Sequence, residues 1–106
     1  MKTFTLGQSK SEVMQMLPEK VIKMVQLGSK KVCVVNTGSD FFVFDPHCPH
    51  RMAFLGNGKI NNQKEIICPL HEYRFDLETG QVKSGDCADL KVYKADLTET
   101  GLEIEL

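Results

Sequence analysis

The sequence predicts an all-β fold, an antiparallel sandwich or small barrel from one end of which two loops, 46–55 and 68–75, project as a small subdomain. Two observations carry this. Runs of β-branched and aromatic residues such as Val32-Cys33-Val34-Val35 and Phe41-Phe42-Val43-Phe44 are too short for helices. Turn residues (Gly28-Ser29, Asn36 to Asp40, Thr79-Gly80, Thr98 to Gly101) punctuate them at short intervals. Such spacing suits two packed sheets or a closed one. No internal repeat, linker or low-complexity stretch interrupts the pattern.

In chain order, Phe4 to Leu6 reads as a first strand. Ser9 to Leu17 is the one helical segment: Ser9 or Ser11 can cap it, Val13, Met14, Met16 and Leu17 supply an apolar face, and Pro18 ends it. Val21 to Val25 and Lys31 to Val35 form a hairpin across Gly28-Ser29. Asn36 to Asp40 turns the chain into Phe41–Phe44, and Asp45-Pro46 opens the first projecting loop. Ile60 and Glu65 to Ile67 lead into the second. Tyr73 to Phe75 and Gln81-Val82 pair across Leu77 to Gly80, and Val92 to Leu97 pairs with Leu102 to Leu106.

Composition excludes several classes of function. At 106 residues and 42% hydrophobic, the chain can build one core and has no room for a second, so residues 1–106 read as a single domain. A net charge of −1 leaves no basic footprint for nucleic acid. Met1 to Leu6 lacks the apolar stretch of a signal peptide. No run approaches the ~20 apolar residues of a membrane helix. The expected location is the cytoplasm.

The chemistry is concentrated in the two loops. Cys48-Pro49-His50 and Cys68-Pro69-Leu70-His71 hold two of the four cysteines and two of the three histidines. Thiolate with imidazole suits zinc or an iron–sulfur centre. Zinc fingers of the common kind group two cysteines on one side and two histidines on the other. Here each loop offers one of each, which suits a [2Fe–2S] centre with both cysteines on one iron and both histidines on the other.

Cys48-Pro49-His50-Arg51, the run Cys68-Pro69-Leu70-His71-Glu72-Tyr73-Arg74-Phe75-Asp76 and the Thr79-Gly80 turn together resemble the Rieske-type ferredoxins, and the likeness spans nearly the whole chain. The resemblance implies a Rieske-like β-sandwich or barrel holding one [2Fe–2S] cluster on Cys48, His50, Cys68 and His71. Two ferric ions, two sulfides and two thiolates sum to no net charge when both imidazoles are neutral. An electron enters such a centre more readily than a dianionic all-cysteine one. It also implies a one-electron carrier between a reductase, flavin-dependent in type, and a terminal acceptor such as a non-haem iron oxygenase. The chain is not itself the oxygenase, because only His47 remains for a 2-His-1-carboxylate set. Two other readings stay open: a non-redox subunit like the small subunit of nitrite reductases, and a structural zinc module on the same residues.

Neighbouring residues carry expectations of their own. Cys33 is expected to be a buried core thiol. Cys87 lies where the family often has a loop proline and is expected to pack rather than ligate. Ala53 and Leu70 stand where respiratory Rieske proteins carry a loop-to-loop disulfide, so that bridge cannot form. Pro49 and Pro69 stiffen the loops. Met52 and Leu55 are expected to cover the centre with apolar surface, Tyr73 to pack below the second loop, and His47 to be exposed. Arg51 is placed either at a partner contact or in solvent. Glu72 departs from the family's frequent glycine, which leaves the local backbone open.

Overall fold

The chain enters through β1 (Thr3–Leu6) and turns into its one α-helix, α1 (Lys10–Met16). The computed structural model describes every residue except Met1, Ser39, His50, Arg51 and His71. Of the two candidate caps, Ser9 closes the helix: its hydroxyl accepts from the Glu12 amide at 3.2 Å, while Glu12 Oε1 accepts from the Gln8 amide at 3.1 Å. The first bond satisfies an amide that the first helical turn leaves without a partner, and the second ties the residue before the cap to that turn. The helix stops at Leu17, before Pro18.

The main sheet then builds from hairpins. β2 (Ile22–Leu27) pairs with β3 (Lys30–Asn36), Ile22 opposite Val35 and Leu27 opposite Lys30, and β4 (Phe41–Phe44) follows with Cys33 opposite Phe44. Val21, expected in the strand, instead turns, its amide donating to Pro18 O at 3.2 Å. After a 3-10 turn at Leu55–Asn57 come β5 (Lys59–Ile60), β6 (Glu65–Ile67), β7 (Arg74–Asp76) and β8 (Val82–Ser84), which form a separate four-stranded sheet in that order. The chain returns through β9 (Val92–Thr98) and β10 (Gly101–Glu105) to give a six-stranded antiparallel sheet, β1-β10-β9-β4-β3-β2. The curled sheets form a half-barrel, as the all-β reading expects.

Strand alternation on β3 divides the interior in two. Val32 and Val34 face a core with Val13, Leu17, Val43, Leu102 and Ile104; Cys33 and Val35 face another with Phe44, Ile66, Phe75, Leu77 and Leu90. Each fully buried aliphatic or Phe side chain contributes roughly 1.5–3 kcal/mol. Buried Asn36 ties the first core together. Its amide nitrogen donates to Leu17 O (3.0 Å), its side-chain oxygen accepts from Gly38 N (2.7 Å) and its carbonyl accepts from Lys20 N (2.7 Å).

The turn after β7 locks the smaller sheet to the larger. Asp76 Oδ1 accepts from the amides of Glu78 and Thr79 at 2.8 and 3.0 Å. Gly80 adopts φ +80°, and a Cβ there would collide with the Leu90 carbonyl oxygen. No helix among the described residues is long and apolar enough to cross a membrane.

Candidate metal centre

The first projecting loop leaves β4 at Asp45, whose amide donates to Lys91 O at 3.0 Å. It closes on itself at Cys48, whose amide donates to Ala53 O (2.8 Å) and whose carbonyl accepts from Met52 N (2.7 Å). The second loop, between β6 and β7, closes in the same way: Cys68 N donates to Tyr73 O at 2.7 Å. That bond explains why β7 begins at Arg74 and not at Tyr73. In both loops the residue four after the cysteine is left-handed, Met52 at φ +57° and Glu72 at φ +55°. The two cysteines thus head a repeated turn. Glu72 therefore occupies backbone that glycine takes freely, at a cost for an L side chain of about 1–2 kcal/mol.

Cys48 and Cys68 are both fully buried, and their thiols are within hydrogen-bonding reach of each other. Burial pushes the Cys68 thiol above its ordinary range; the Leu70 N–H donating to its sulfur lowers it, and Cys48 beside it raises it again. The desolvated Cys68 thiol holds its proton unless a cation compensates the charge of its thiolate, so with Cys48 buried beside it the pair is chemically suited to a shared metal. His50 and His71, the other two expected ligands, and Arg51 lie outside the described residues. Among the described residues no three Cys, His, Asp or Glu side chains gather into a metal-binding group.

The other cysteines behave as their surroundings dictate. Cys33 is buried on β3, and burial, then Asp45, pushes its thiol up to about 11. Half-buried Cys87 packs against the same core as Cys48 and Cys68, and its Sγ donates to Ala88 O at 3.3 Å. Burial first, then Cys48, Asp86 and Asp89, holds its thiol above the ordinary range, protonated and suited to packing. None of the four cysteines takes part in a disulfide.

Tyr73 packs below the second loop, its ring close against Gly85, where any Cβ would overlap it. Met52 is 66% exposed, whereas Leu55 is fully buried in the core that also holds Cys48 and Cys68. The 3-10 turn that carries it inward has no signature in the residue pattern. His47 is exposed and pairs with Phe54, their rings 6.3 Å apart. Sequence reasoning missed two polar clasps. Tyr93 Oη donates to Asp45 Oδ1 at 2.6 Å, with Lys30 Nζ 3.6 Å from that carboxylate. Glu65, largely buried beneath the second loop, accepts from Asn61 Nδ2 at 2.7 Å and faces Arg74 Nη1 at 3.4 Å. A carboxylate at the head of a short apolar run, Glu65-Ile66-Ile67, was the only sign of the second clasp.

A small antiparallel-β domain that presents two buried cysteines on matched loops is a metal-cluster carrier in form. Comparison with known proteins gives the family: the chain belongs to the Rieske [2Fe-2S] domain family, matched over residues 9–94. Members hold one [2Fe–2S] cluster, and the buried thiol pair fits that group. The chain is 34% identical over 92 residues to the biphenyl dioxygenase ferredoxin subunit of Pseudomonas sp. (strain KKS102), covering 86% of this chain and 81% of that one. In structure it is similar to the ferredoxin of carbazole 1,9a-dioxygenase from Nocardioides aromaticivorans IC177, with a TM-score of 0.83, 24% identity, and 98% and 97% of the two chains covered. A chain named as an NADH-dependent nitrite reductase small subunit from Mycobacterium tuberculosis shares the fold at a TM-score of 0.80 and 15% identity, covering 97% and 93%. The fold alone therefore does not separate the two roles.

Proposed function

We propose that the chain is the ferredoxin component of an oxygenase system, a one-electron carrier between a reductase, flavin-dependent in type, and a terminal oxygenase. The observation that carries this is the buried Cys48–Cys68 pair at the heads of two matched turns; a non-redox subunit has no use for it. The named dioxygenase ferredoxin relative supports the partner class. In this reading residues 1–106 are one domain. Cys48 and Cys68 hold one iron, and His50 and His71 hold the other. The bound cluster supplies a site that takes up and gives up a single electron. The protein's residues do the rest: the closed turns keep both sulfurs in place, Leu70 N–H stabilises negative charge on Cys68 sulfur, and Tyr73 and Leu55 exclude water from below. The chain contributes no substrate chemistry of its own. Cysteines that form no disulfide suit a reducing compartment, and the proposed location is the cytoplasm.

Purified protein tests this directly. It is expected to be brown, to contain two irons and two acid-labile sulfides per chain, and to take up one electron per chain in a reductive titration. A colourless, iron-free protein would overturn the proposal, and zinc without sulfide would establish the structural-zinc reading.

A further inference from the structure

Beside the first projecting loop runs an open groove of about 430 Å³, lined by Lys30, Lys31, Lys91, His47, Pro49 and Met52. Asp45 and Asp89 also border it, yet both are engaged. Asp45 accepts from Tyr93 and lies 3.6 Å from Lys30 Nζ, and Asp89 Oδ1 accepts from Val82 N at 3.0 Å. Lys31 and Lys91 are exposed, and no described carboxylate lies within ion-pair distance of either. Lys30 and Lys91 flank the Tyr93 ring, each 5.4 Å from its centroid, which presents both ammonium groups in a defined place. On a chain of net charge −1, this is a local excess of positive charge joined to an exposed apolar knob, Met52. The groove beside the second loop differs: Lys59 and Glu72 balance there.

We propose that this lysine-lined groove is a docking surface for a redox-partner protein that presents carboxylates, with Met52 and Pro49 forming the apolar part of the contact. The proposal rests on the electron-carrier reading and adds the side of approach and the partner's charge. Lysines at the rim accelerate encounter with an acidic surface, and the small apolar centre lets the complex separate again. A partner approaching from this side meets the loop of Cys48 first.

Two measurements test it on the iron-loaded protein. In the first, a hexaglutamate peptide is coupled to lysines with a carbodiimide at low salt and the links are mapped by mass spectrometry. Lys31 and Lys91 are expected to react ahead of Lys23 and Lys94, which are exposed too. In the second, reduced protein gives one electron to ferricyanide, forming ferrocyanide, in a stopped-flow instrument. The double variant Lys31→Glu/Lys91→Glu is expected to react about tenfold more slowly at low salt, the difference fading at high salt. The charge-matched Lys23→Glu/Lys94→Glu is expected to slow the reaction by a smaller factor, since neither lysine lines the groove. Even labelling of all exposed lysines, or equal slowing by the two doubles, would overturn the groove while leaving the carrier reading intact. Protection of Lys31 and Lys91 by inorganic pyrophosphate but not by hexaglutamate would replace it with a phosphate site. Absence of iron from the purified chain would overturn the carrier reading instead.

Discussion

On one face of β3, Val32 and Val34 pack with residues of α1, β4 and β10; on the other, Cys33 and Val35 pack with Phe44, Ile66, Phe75 and the two buried loop cysteines. The fully buried hydrophobic side chains of the first core are all aliphatic, and it is enclosed by the helix and by strands of four to seven residues. The second is capped by strands of two or three residues, with left-handed turns at Met52 and Glu72 and a buried carboxylate at Glu65. Such short strands bury little and add few ladder bonds. The first core is therefore a self-sufficient scaffold. In the proposed reading the second is a holder whose cohesion depends on the cluster that its cysteines would bind, because metal binding contributes directly to folding.

The largest effect expected from this contrast is on the cysteines. Replacing Cys48 or Cys68 with Ser removes one of two thiolates and is expected to abolish the visible spectrum, the iron and the sulfide. Hydrogen exchange should then speed up across 46–55 and 68–75 while β3, β9 and β10 keep their protection. A full cluster in either variant would break the assignment, and uniform loss of protection would break the division into scaffold and holder.

The midpoint potential sharpens the same side. High-potential Rieske centres resemble one another in a serine two residues after the second histidine; here Tyr73 stands there, its ring packed against Gly85. Without that hydroxyl the more negative reduced form loses a hydrogen bond, so a midpoint near −150 mV, the lower end of the Rieske span of about −150 to +300 mV, is expected. It should be flat around neutral pH and fall at alkaline pH, where the expected ligand histidines deprotonate in the oxidised form and reduction takes up a proton. Protein-film voltammetry decides it: a midpoint above about +100 mV contradicts the role of Tyr73.

In the scaffold core the expected effect is on stability alone. Leu102 is fully buried, and Leu102→Ala should cost about 2–5 kcal/mol in urea denaturation. The visible spectrum should stay unchanged, and bleaching would show that the two cores are not independent. Smallest is Glu72→Gly. It relieves a left-handed cost of about 1–2 kcal/mol but frees the unfolded chain by about 0.5–1 kcal/mol, leaving a stabilisation of about 0–1.5 kcal/mol. A lower denaturation midpoint would show that the Glu72 side chain makes a favourable contact that outweighs its strain.

Much of this was legible along the chain. The β2–β3 and β9–β10 hairpins follow from alternation and from glycine turns, which act over a few residues. The helix, with Ser9 at its cap and Pro18 beyond its end, is equally local. Cys48 and Cys68 stood out from Cys33 because they sit with prolines and histidines between strands, while Cys33 sits inside one. The strand ends at Tyr73 and Val21 were misplaced because a hydrogen bond to a residue several positions away, Cys68 or Pro18, outcompeted strand pairing.

The sequence by itself determined the fold class, the hairpins, the family and the two loops that carry the chemistry, because each depends on residue type and short spacing. Only the tertiary structure decided the rest. It buried β3 on both faces, drew Leu55 inward, and set Cys48 and Cys68 side by side at the heads of matched turns. It also clasped Asp45 to Tyr93 and Glu65 to Arg74, and left Lys31 and Lys91 uncompensated beside the first loop. The reason is common to all of these. Each is a relation between segments far apart in the chain, set by which faces the closing sheets bring together, and no local pattern encodes which distant partner a buried or charged side chain will meet.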